Sequence, residues 1–337
     1  MGAAERADLH GQHKLSNCAT AGCAPFQQRW PWIGPDLQTL RDTLRPQRLP
    51  PDQGVPLLVP MAQGDQLLML AEQPAGPPPR AWVLLVHGLG GDSGRPGVRR
   101  LAQALLAAGF GVLRLNLRGA GAGRALAAGT YAAACNSDLL PVLAAARQRA
   151  GDRPLLGVGL SLGGTVLLNA LLACPDGLDG LACVSSPLDL AACSRQIDSP
   201  RNLLYQRVLL AGLIRLTLAD PRAQPCREAL GAVRSIRQFD AAITAPRWGY
   251  RSVEHYYRQA SPLLALGGGG AVPPTLLIHA QDDPWVPAAA VLGLAAQAPP
   301  GINVCLPAHG GHNGFHGQGG MNWADRCVVE WLARCCG

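Results

Sequence analysis

Ser161 is the strongest candidate for a reactive side chain. It lies at the centre of Gly-Leu-Ser-Leu-Gly over residues 159–163, with an apolar run before it and a helical pattern after it. On a sharp strand-to-helix turn, a serine takes a strained backbone conformation that raises its hydroxyl above the sheet, and the two glycines avoid collisions across the turn. The following helix directs its amides toward developing negative charge. The motif therefore predicts Ser161 as a nucleophile.

A nucleophilic serine needs an acid and a base, because a hydroxyl reacts poorly at neutral pH unless an oriented base accepts its proton. Around such a serine motif, the chain order is serine, acid, histidine. Asp282 and Asp283 follow a predicted strand over 275–279, at the sheet edge where α/β proteins place their sites. Asp282 is predicted to be a turn former. Asp283 is the preferred acid, because the Asp-Pro-Trp-Val-Pro sequence places it better to point inward.

The base is expected in the loop that follows a predicted strand over 302–306. His309, His312 and His316 all occur there, within a glycine-rich stretch. A histidine in such a loop is often only solvent-exposed, but the carboxyl end of this strand lies on the same edge as Ser161. Spacing alone leaves the choice among the three histidines open.

A second glycine cluster, His-Gly-Leu-Gly-Gly at residues 87–91, follows the predicted strand over 81–86. Its glycines allow the backbone to approach a substrate, so the amide of Leu89 can join that of Leu162 as an oxyanion hole. A nucleotide-binding loop is the competing interpretation, but neither glycine-rich nucleotide motif is present here. We predict no cofactor and no metal, and a structural role for His87.

Strand and helix patterns alternate around these residues. Short apolar runs between amphipathic segments indicate an α/β fold, with a mostly parallel sheet covered by helices on both faces. A hairpin is predicted over 55–73, around Gln63-Gly64-Asp65. The other strands are predicted at 81–86, 111–116, 154–158, 180–184, 275–279 and 302–306, and the helices at 98–108, 137–150, 162–173, 287–296 and 322–335.

The alternation is interrupted after residue 189. Residues 190–262 are helical in pattern, carry many arginines and contain no clear strand, so we predict a helical cap inserted into the sheet domain. Glycines 267–270 provide a flexible return. The predicted organisation is a polar N-terminal extension (1–54), an α/β core (55–189 and 263–337) and the cap (190–262).

Composition and charge argue against several classes of function. The chain has 337 residues, 48% of them hydrophobic and 15% charged, which is typical of a globular protein. The net charge of +7 comes from scattered arginines that are not interleaved with aromatic residues, which argues against nucleic-acid binding. Eleven irregularly spaced cysteines indicate small buried side chains or free thiols rather than a disulfide framework.

The sequence also predicts a cytoplasmic protein. The first residues include Glu5 and Asp8 and lack the apolar stretch of a secretory signal. The most apolar segment, 203–218, is interrupted by Arg207 and Arg215 and so does not read as a membrane span. These arginines also allow a membrane-surface helix, although a solvated cap face is the preferred interpretation.

Motifs along nearly the whole chain resemble those of one branch of the α/β-hydrolases. That branch includes bacterial YheT-type hydrolases, the eukaryotic ABHD1/2/3 proteins and plant EMB8-like proteins. The histidine-containing motif near the end of the chain is the most distinctive. The similar segments are Gly34–Leu40, His87–Gly91, Arg114–Gly119, Gly159–Gly164, Phe239–Asp240, Tyr256–Arg258, Asp282–Pro284 and His309–Phe315.

The resemblance implies an α/β-hydrolase fold with a helical cap, and an enzyme that cleaves carboxylic esters of short-chain or lipid-derived acyl groups. In that branch the base is the histidine of Gly-Gly-His before a Gly-Phe pair. This corresponds to His312 and selects it over His309 and His316. The chain departs from the pattern at Thr165, where asparagine is frequent, and at 131–134, where Tyr-Ala-Ala-Ala replaces a Tyr-His-Ser-Gly-like stretch.

Three functions are compatible with these residues. The first is ester hydrolysis through Ser161, Asp283 and His312, with a small ester or lipid-like substrate. The second is transfer of the acyl group to an alcohol, which the same branch also performs. The third is a non-catalytic binding protein on the same fold, which the intact set of candidate residues argues against. The departures from the pattern leave the substrate open, and the oligomeric state is not predicted.

Overall fold

A single eight-stranded sheet dominates the computed structural model, which describes residues 23–220 and 226–336. The sheet order is β1-β2-β4-β3-β5-β6-β7-β8, with β1, β2 and β4 paired antiparallel and all later neighbours parallel. The mostly parallel sheet predicted from the sequence is confirmed. The strands are β1 (Val55–Pro60), β2 (Gln66–Glu72), β3 (Trp82–Val86), β4 (Gly111–Asn116), β5 (Leu155–Leu160), β6 (Gly180–Val184), β7 (Thr275–Ile278) and β8 (Ile302–Cys305).

Helices connect these strands, and a π-helical turn, Asp240–Thr244, follows α8. The helices are α1 (Pro35–Leu44), α2 (Pro96–Ala107), α3 (Asn136–Ala150), α4 (Leu162–Ala173), α5 (Leu190–Ile197), α6 (Leu203–Leu218), α7 (Cys226–Gly231), α8 (Ile236–Phe239), α9 (Ala245–Arg247), α10 (Val253–Ala260), α11 (Leu263–Gly267), α12 (Ala289–Gln297) and α13 (Trp323–Arg334).

Both faces of the sheet are buried, as alternation along β3 shows. Leu84 and Val86 pack in one hydrophobic cluster with residues of α3 and α4. Val83 and Leu85, whose side chains point the other way, pack in a second cluster with residues of α2 and α13. A strand buried on both sides must be apolar throughout, which is why the sequence shows unbroken apolar runs here.

The helices from α5 to α11 all lie between β6 and β7 in the chain, which is where the sequence pattern loses its strands. Their own small core includes Leu210, Leu213, Ile236 and Phe239. Residues 221–225 of the predicted cap lie outside the described residues, as do 1–22 of the predicted extension.

Two features of the described residues differ from expectation. The predicted extension contains a helix, α1, which begins with Pro35 at a position where a proline's missing amide costs nothing. Eight cysteines are free thiols, but Cys305 is disulfide-bonded, so the expectation of small buried side chains or free thiols is wrong at that position. No helix among the described residues is long and apolar enough to cross a membrane.

Candidate active site

Ser161 occupies the turn between β5 and α4, with a left-handed backbone at φ 53°. Its amide donates to the carbonyl of Val184 on β6 at 2.8 Å, which anchors the turn to the sheet. A Cβ at Gly159 would collide with the backbone of Gly164, and one at Gly163 would collide with the carbonyl of Val86. The two glycines are therefore required by close backbone approach, as the motif predicts.

His312 lies in the loop after β8 and joins two other candidate residues. Its Nδ1–H donates to Asp283 Oδ2 at 2.8 Å, and its Nε2 lies 2.9 Å from Ser161 Oγ. With the proton on Nδ1, Nε2 is free to accept the serine hydroxyl proton. The side chains of His312 and Asp283 are 3% and 0% exposed, so water competes little for these bonds.

Asp283 is held as an ionised acceptor. Its Oδ1 accepts hydrogen bonds from the amides of Trp285 at 2.8 Å and Val286 at 3.0 Å. Burial alone raises the pKa of Asp283. However, the electrostatic attraction and hydrogen bond of His312, with the attraction of His279 and the hydrogen bond of the Val286 amide, outweigh burial and lower the pKa of Asp283 below its ordinary value.

The remaining acid and histidines lie elsewhere. Asp282 Oδ1 accepts from the Gly311 amide at 2.9 Å, and Asp282 Oδ2 lies 3.2 Å from His309 Nδ1, on an exposed side chain. His316 is buried 3.5 Å from Asp42, and burial lowers the pKa of His316 to about 4. Of the five acids and histidines considered from the sequence, only Asp283 and His312 are brought together with Ser161.

Helix α1 holds the histidine loop in place. The His312 amide donates to Thr39 Oγ1 at 2.9 Å. Gln38 is fully buried; its side-chain amide donates to the His316 carbonyl at 3.1 Å and its Oε1 accepts from the His316 amide at 2.7 Å. Sequence reasoning missed both positioning residues. The only sequence feature that pointed to Gln38 and Thr39 was the family resemblance over residues 34–40, and that resemblance assigns these two residues no role.

Trp285 covers the ring of His312. The two rings stack with centroids 4.4 Å apart and planes 30° apart, and Tyr205 of α6 meets the indole edge-on at 5.2 Å. The indole therefore covers one face of the imidazole and restricts its rotation. Nothing in the spacing of the sequence identified this contact.

The predicted oxyanion hole has a defined support. Leu89 and Leu162 line the same cavity as Ser161, and Leu162 is the first residue of α4, so its amide has no acceptor within the helix. Tyr131 Oη accepts from the Gly90 amide at 2.7 Å and donates to the Gly88 carbonyl at 3.4 Å. This phenol therefore fixes the turn that contains Leu89.

His87 supports the same turn. Within the described residues, its ring makes no hydrogen bond to Ser161. Its Nδ1–H donates to the Gly88 carbonyl at 2.8 Å, and its Nε2 accepts from the Leu117 amide at 3.2 Å. Burial lowers the pKa of His87 to about 4, so the ring is neutral at physiological pH. These contacts agree with the structural role predicted for it.

Tyr131→Phe is expected to lower kcat by about tenfold with little change in KM, because a half-buried Gly90 amide loses its acceptor and the oxyanion turn loosens. Steady-state kinetics on a p-nitrophenyl ester measure the effect. Tyr250→Phe is the matched control, since its hydroxyl makes only a 3.5 Å contact with the Ala134 carbonyl. Equal kinetics for wild type and Tyr131→Phe would show that the turn needs no phenol.

Ser161 and His312 open into a cavity of about 470 Å³. Its walls are mostly apolar and come from both the sheet domain and helices α5, α6 and α8; they include Leu89, Leu160, Leu190, Ile197, Leu209, Leu213, Leu216 and Phe239. This is the size and character of a small-molecule site. Among the described residues, no group of three or more His, Cys, Asp or Glu side chains could hold a metal ion.

Part of the cavity lining is polar. Asp240, in the π-helical turn after α8, accepts hydrogen bonds from Thr244 Oγ1 and Tyr257 Oη, both at 2.8 Å. Burial raises the pKa of Asp240 to about 6, and these two hydrogen bonds offset it only in part. No cation pairs with this carboxylate among the described residues, so its ionisation is costly.

Asp240→Asn is expected to stabilise the protein at about pH 8 by on the order of 1–3 kcal/mol and to have little effect below about pH 4. The folded pKa of about 6 lies above the unfolded value, so the folded protein loses stability as pH rises through this window. Urea unfolding at both pH values measures it. The surface variant Asp176→Asn is the control. An equal effect of Asp240→Asn at both pH values would contradict the prediction.

Comparison with known proteins identifies the family. Residues 77–316 match the family described as Serine aminopeptidase, S33 (Hydrolase_4). The putative esterase YheT of Escherichia coli (strain K12) is 32% identical over 277 residues, which cover 79% of this chain and 80% of YheT. The chain belongs to the YheT/ABHD branch of the α/β-hydrolases. The phospholipase ABHD3 of Mus musculus, in the same branch, is 30% identical over 70% of this chain and 58% of ABHD3.

Solved structures share the fold of this α/β-hydrolase. Est1E from Butyrivibrio proteoclasticus, solved with ferulic acid bound, superposes with a TM-score of 0.54 at 17% identity, over 82% of this chain and 98% of Est1E. An esterase from Pyrococcus furiosus gives a TM-score of 0.57 at 14% identity, over 94% of this chain and 99% of that structure. These structures show the fold, and the family match with the identity to YheT makes the chain an esterase-type α/β-hydrolase.

Proposed function

We propose that the protein hydrolyses carboxylic esters, with Ser161 as nucleophile, His312 as general base and Asp283 as the acid that orients it. The observation that carries the proposal is the unbroken hydrogen-bonded chain from Asp283 Oδ2 through the imidazole to Ser161 Oγ, with separations of 2.8 and 2.9 Å. These distances are within reach for proton transfer. Ser161, the last member of this hydrogen-bonded series, lines an apolar cavity large enough for an acyl group.

The reaction follows from these positions. His312 Nε2 accepts the Ser161 proton as Oγ attacks the ester carbonyl carbon, and the amides of Leu89 and Leu162 stabilise the resulting oxyanion. The C–O bond to the alcohol then breaks, and the imidazolium donates its proton to the leaving alkoxide. Water then attacks the acyl carbon as His312 accepts a proton from it. The bond between that carbon and Ser161 Oγ breaks, the imidazolium returns the proton to Oγ, and the carboxylic acid leaves. Asp283 remains ionised throughout and stabilises the imidazolium.

Short-chain or lipid-derived acyl esters are the proposed substrates. The apolar lining of the cavity favours a hydrocarbon chain over a polar group. Relatives are named for such substrates: besides the phospholipase ABHD3, a medium-chain fatty acid ethyl ester synthase/esterase of Saccharomyces cerevisiae is 26% identical over 75% of this chain and 62% of its own length. Residues 190–262, which supply part of the cavity wall, act as the cap.

Purified protein assayed on p-nitrophenyl esters of graded acyl length tests this proposal. We expect kcat/KM to rise with chain length until the acyl group fills the cavity and then to fall. Absence of turnover on every ester, with the protein folded, would overturn the proposal.

Acyl transfer to an alcohol is the second candidate, favoured by the same yeast relative, whose name includes ester synthesis. An alcohol in place of water at the deacylation step yields a new ester by the same chemistry. Product analysis with added ethanol separates the two functions. We expect free acid to predominate; ethyl ester accumulating in preference to acid would make the protein an acyltransferase.

A further inference from the structure

Helix α6 is apolar on two sides, but the described part of the chain covers only one of them. Leu210 and Leu213 face inward and pack with Ile236 and Phe239. On the outside, Leu204 and Val208 are 75% and 74% exposed. A helix that is hydrophobic all round is normally buried, but no described residue covers this outer side.

The outer side forms a stripe in which arginines are interspersed with apolar residues. Its exposed apolar residues recur at helical spacing and include Leu204, Val208, Ala211 and Leu218. Arg207 and Arg215 are exposed beside them and have no ion-pair partner within the described ranges. Helix α6 contains no acidic residue. The stripe therefore combines hydrocarbon with uncompensated positive charge.

This stripe borders the opening of the Ser161 cavity. Val208 both lines the cavity and is exposed to solvent, which places it where the cavity meets the outside. Thr39 and Thr43 of α1 line the same cavity. The two helices are joined at Asp36, which accepts from Tyr205 Oη and from Arg201, both at 2.8 Å.

Helix α1 carries further exposed apolar side chains. Leu37 and Leu44 lie seven residues apart, hence on one face, and both are exposed. Trp30 and Ile33, in the segment that leads into α1, are exposed too. The acidic residue at this border, Asp36, is already paired with Arg201. We name as the mouth surface the set Leu37, Leu44, Leu204, Arg207, Val208, Ala211, Arg215 and Leu218.

We propose that the mouth surface binds an anionic lipid bilayer, with α6 lying in the interface and the cavity opening toward the lipid. A bilayer interface takes up leucine and valine side chains while its anionic headgroups pair with arginine. An acidic protein would satisfy Arg207 and Arg215 but leaves no reason for the large exposed area of Leu204 and Val208. The proposal goes beyond ester hydrolysis, because it concerns where the protein meets its substrate.

Flotation with lipid vesicles tests the proposal without reference to catalysis. The Ser161→Ala protein is used so that no lipid is cleaved. Vesicles contain phosphatidylcholine alone or phosphatidylcholine with phosphatidylglycerol, at low and high salt. We expect about tenfold or greater preference for the anionic vesicles, reduced by salt because the arginine contribution is screened.

Three variants in the same Ser161→Ala background separate the contributions. Leu204→Ser removes apolar area, and Arg207→Glu with Arg215→Glu reverses the charge; each is expected to lower vesicle binding by about tenfold or more. Leu264→Ser is the matched control, an equally exposed leucine (80%) outside the mouth surface, and is expected to bind as the parent does. All of these side chains are exposed, and circular dichroism verifies folding.

Four outcomes would overturn the proposal. They are no binding to either vesicle, equal binding by the Leu204→Ser and control proteins, retention by polyglutamate in place of vesicles, and a dimer that Leu204→Ser dissociates without any vesicle binding. The third would indicate an acidic protein partner and the fourth an interface between copies of this chain. A protein that binds vesicles yet turns over no ester would leave this proposal standing and remove only the proposed function.

Discussion

Ser161→Ala is expected to lower kcat/KM for ester hydrolysis by about 10⁴-fold or more, since the atom that forms the acyl-enzyme is removed. The fold is expected to persist. Ser161 precedes α4, but its side chain makes no capping hydrogen bond to that helix, so loss of Oγ leaves the helix start unchanged. Kinetics on a short p-nitrophenyl ester and thermal unfolding measure the two effects separately.

Covalent labelling makes this prediction specific to one serine. A fluorophosphonate probe is expected to label wild type and the control Ser137→Ala, whose serine is exposed on α3, but not Ser161→Ala. If wild type and Ser161→Ala are labelled equally, Ser161 is not the nucleophile and the proposed mechanism fails. Absence of labelling in wild type would instead favour a non-catalytic binding protein.

Asp283→Asn is expected to reduce kcat by about 10³–10⁴-fold. The asparagine side-chain oxygen can still accept from the amides of Trp285 and Val286. Its NH2 group, however, carries no negative charge and cannot accept the His312 Nδ1 proton as Asp283 Oδ2 does. The imidazole then loses its orientation, its preferred tautomer and the stabilisation of its charged form. Single-turnover and steady-state kinetics measure the loss.

The neighbouring carboxylate supplies the control for this prediction. Asp282→Asn is expected to reduce kcat by less than about tenfold, and to lower the free energy of unfolding by about 1 kcal/mol, because Asp282 supports the Gly311 amide and exposed His309. If Asp282→Asn abolished turnover and Asp283→Asn did not, the roles assigned to the two residues would be exchanged.

Local patterns predicted the elements that carry the candidate site. The helix 162–173 and the strands 111–116 and 180–184 have the bounds that the sequence predicts, because each is mostly apolar and bounded by turn residues. The position of Ser161 between β5 and α4 follows from the same local rule. The order of Asp283 and His312 along the chain, each after a strand of the sheet, placed both on the edge that holds Ser161.

The residues that hold the site were not predicted, because they act through contacts distant in sequence. Thr39 supports the His312 loop from 273 residues away, and Tyr131 supports the glycine turn from 41 residues away. Helix α1 is short and polar, so nothing in its own periodicity indicated that it packs beneath the loop. Such contacts exist only once the sheet has brought its loops to one edge.

The sequence by itself determined the α/β architecture and a serine on a strained turn, since both depend on residues adjacent in the chain. The choice between Asp282 and Asp283 as the acid depended only on position in a motif. The choice among the three histidines as the base depended only on the family resemblance. The tertiary structure decided which of them meet: loop geometry turns Asp283 inward to His312, and leaves Asp282 with exposed His309. The structure also showed that α6 exposes its apolar side beside the cavity, because packing rather than periodicity determines which face of a helix is covered.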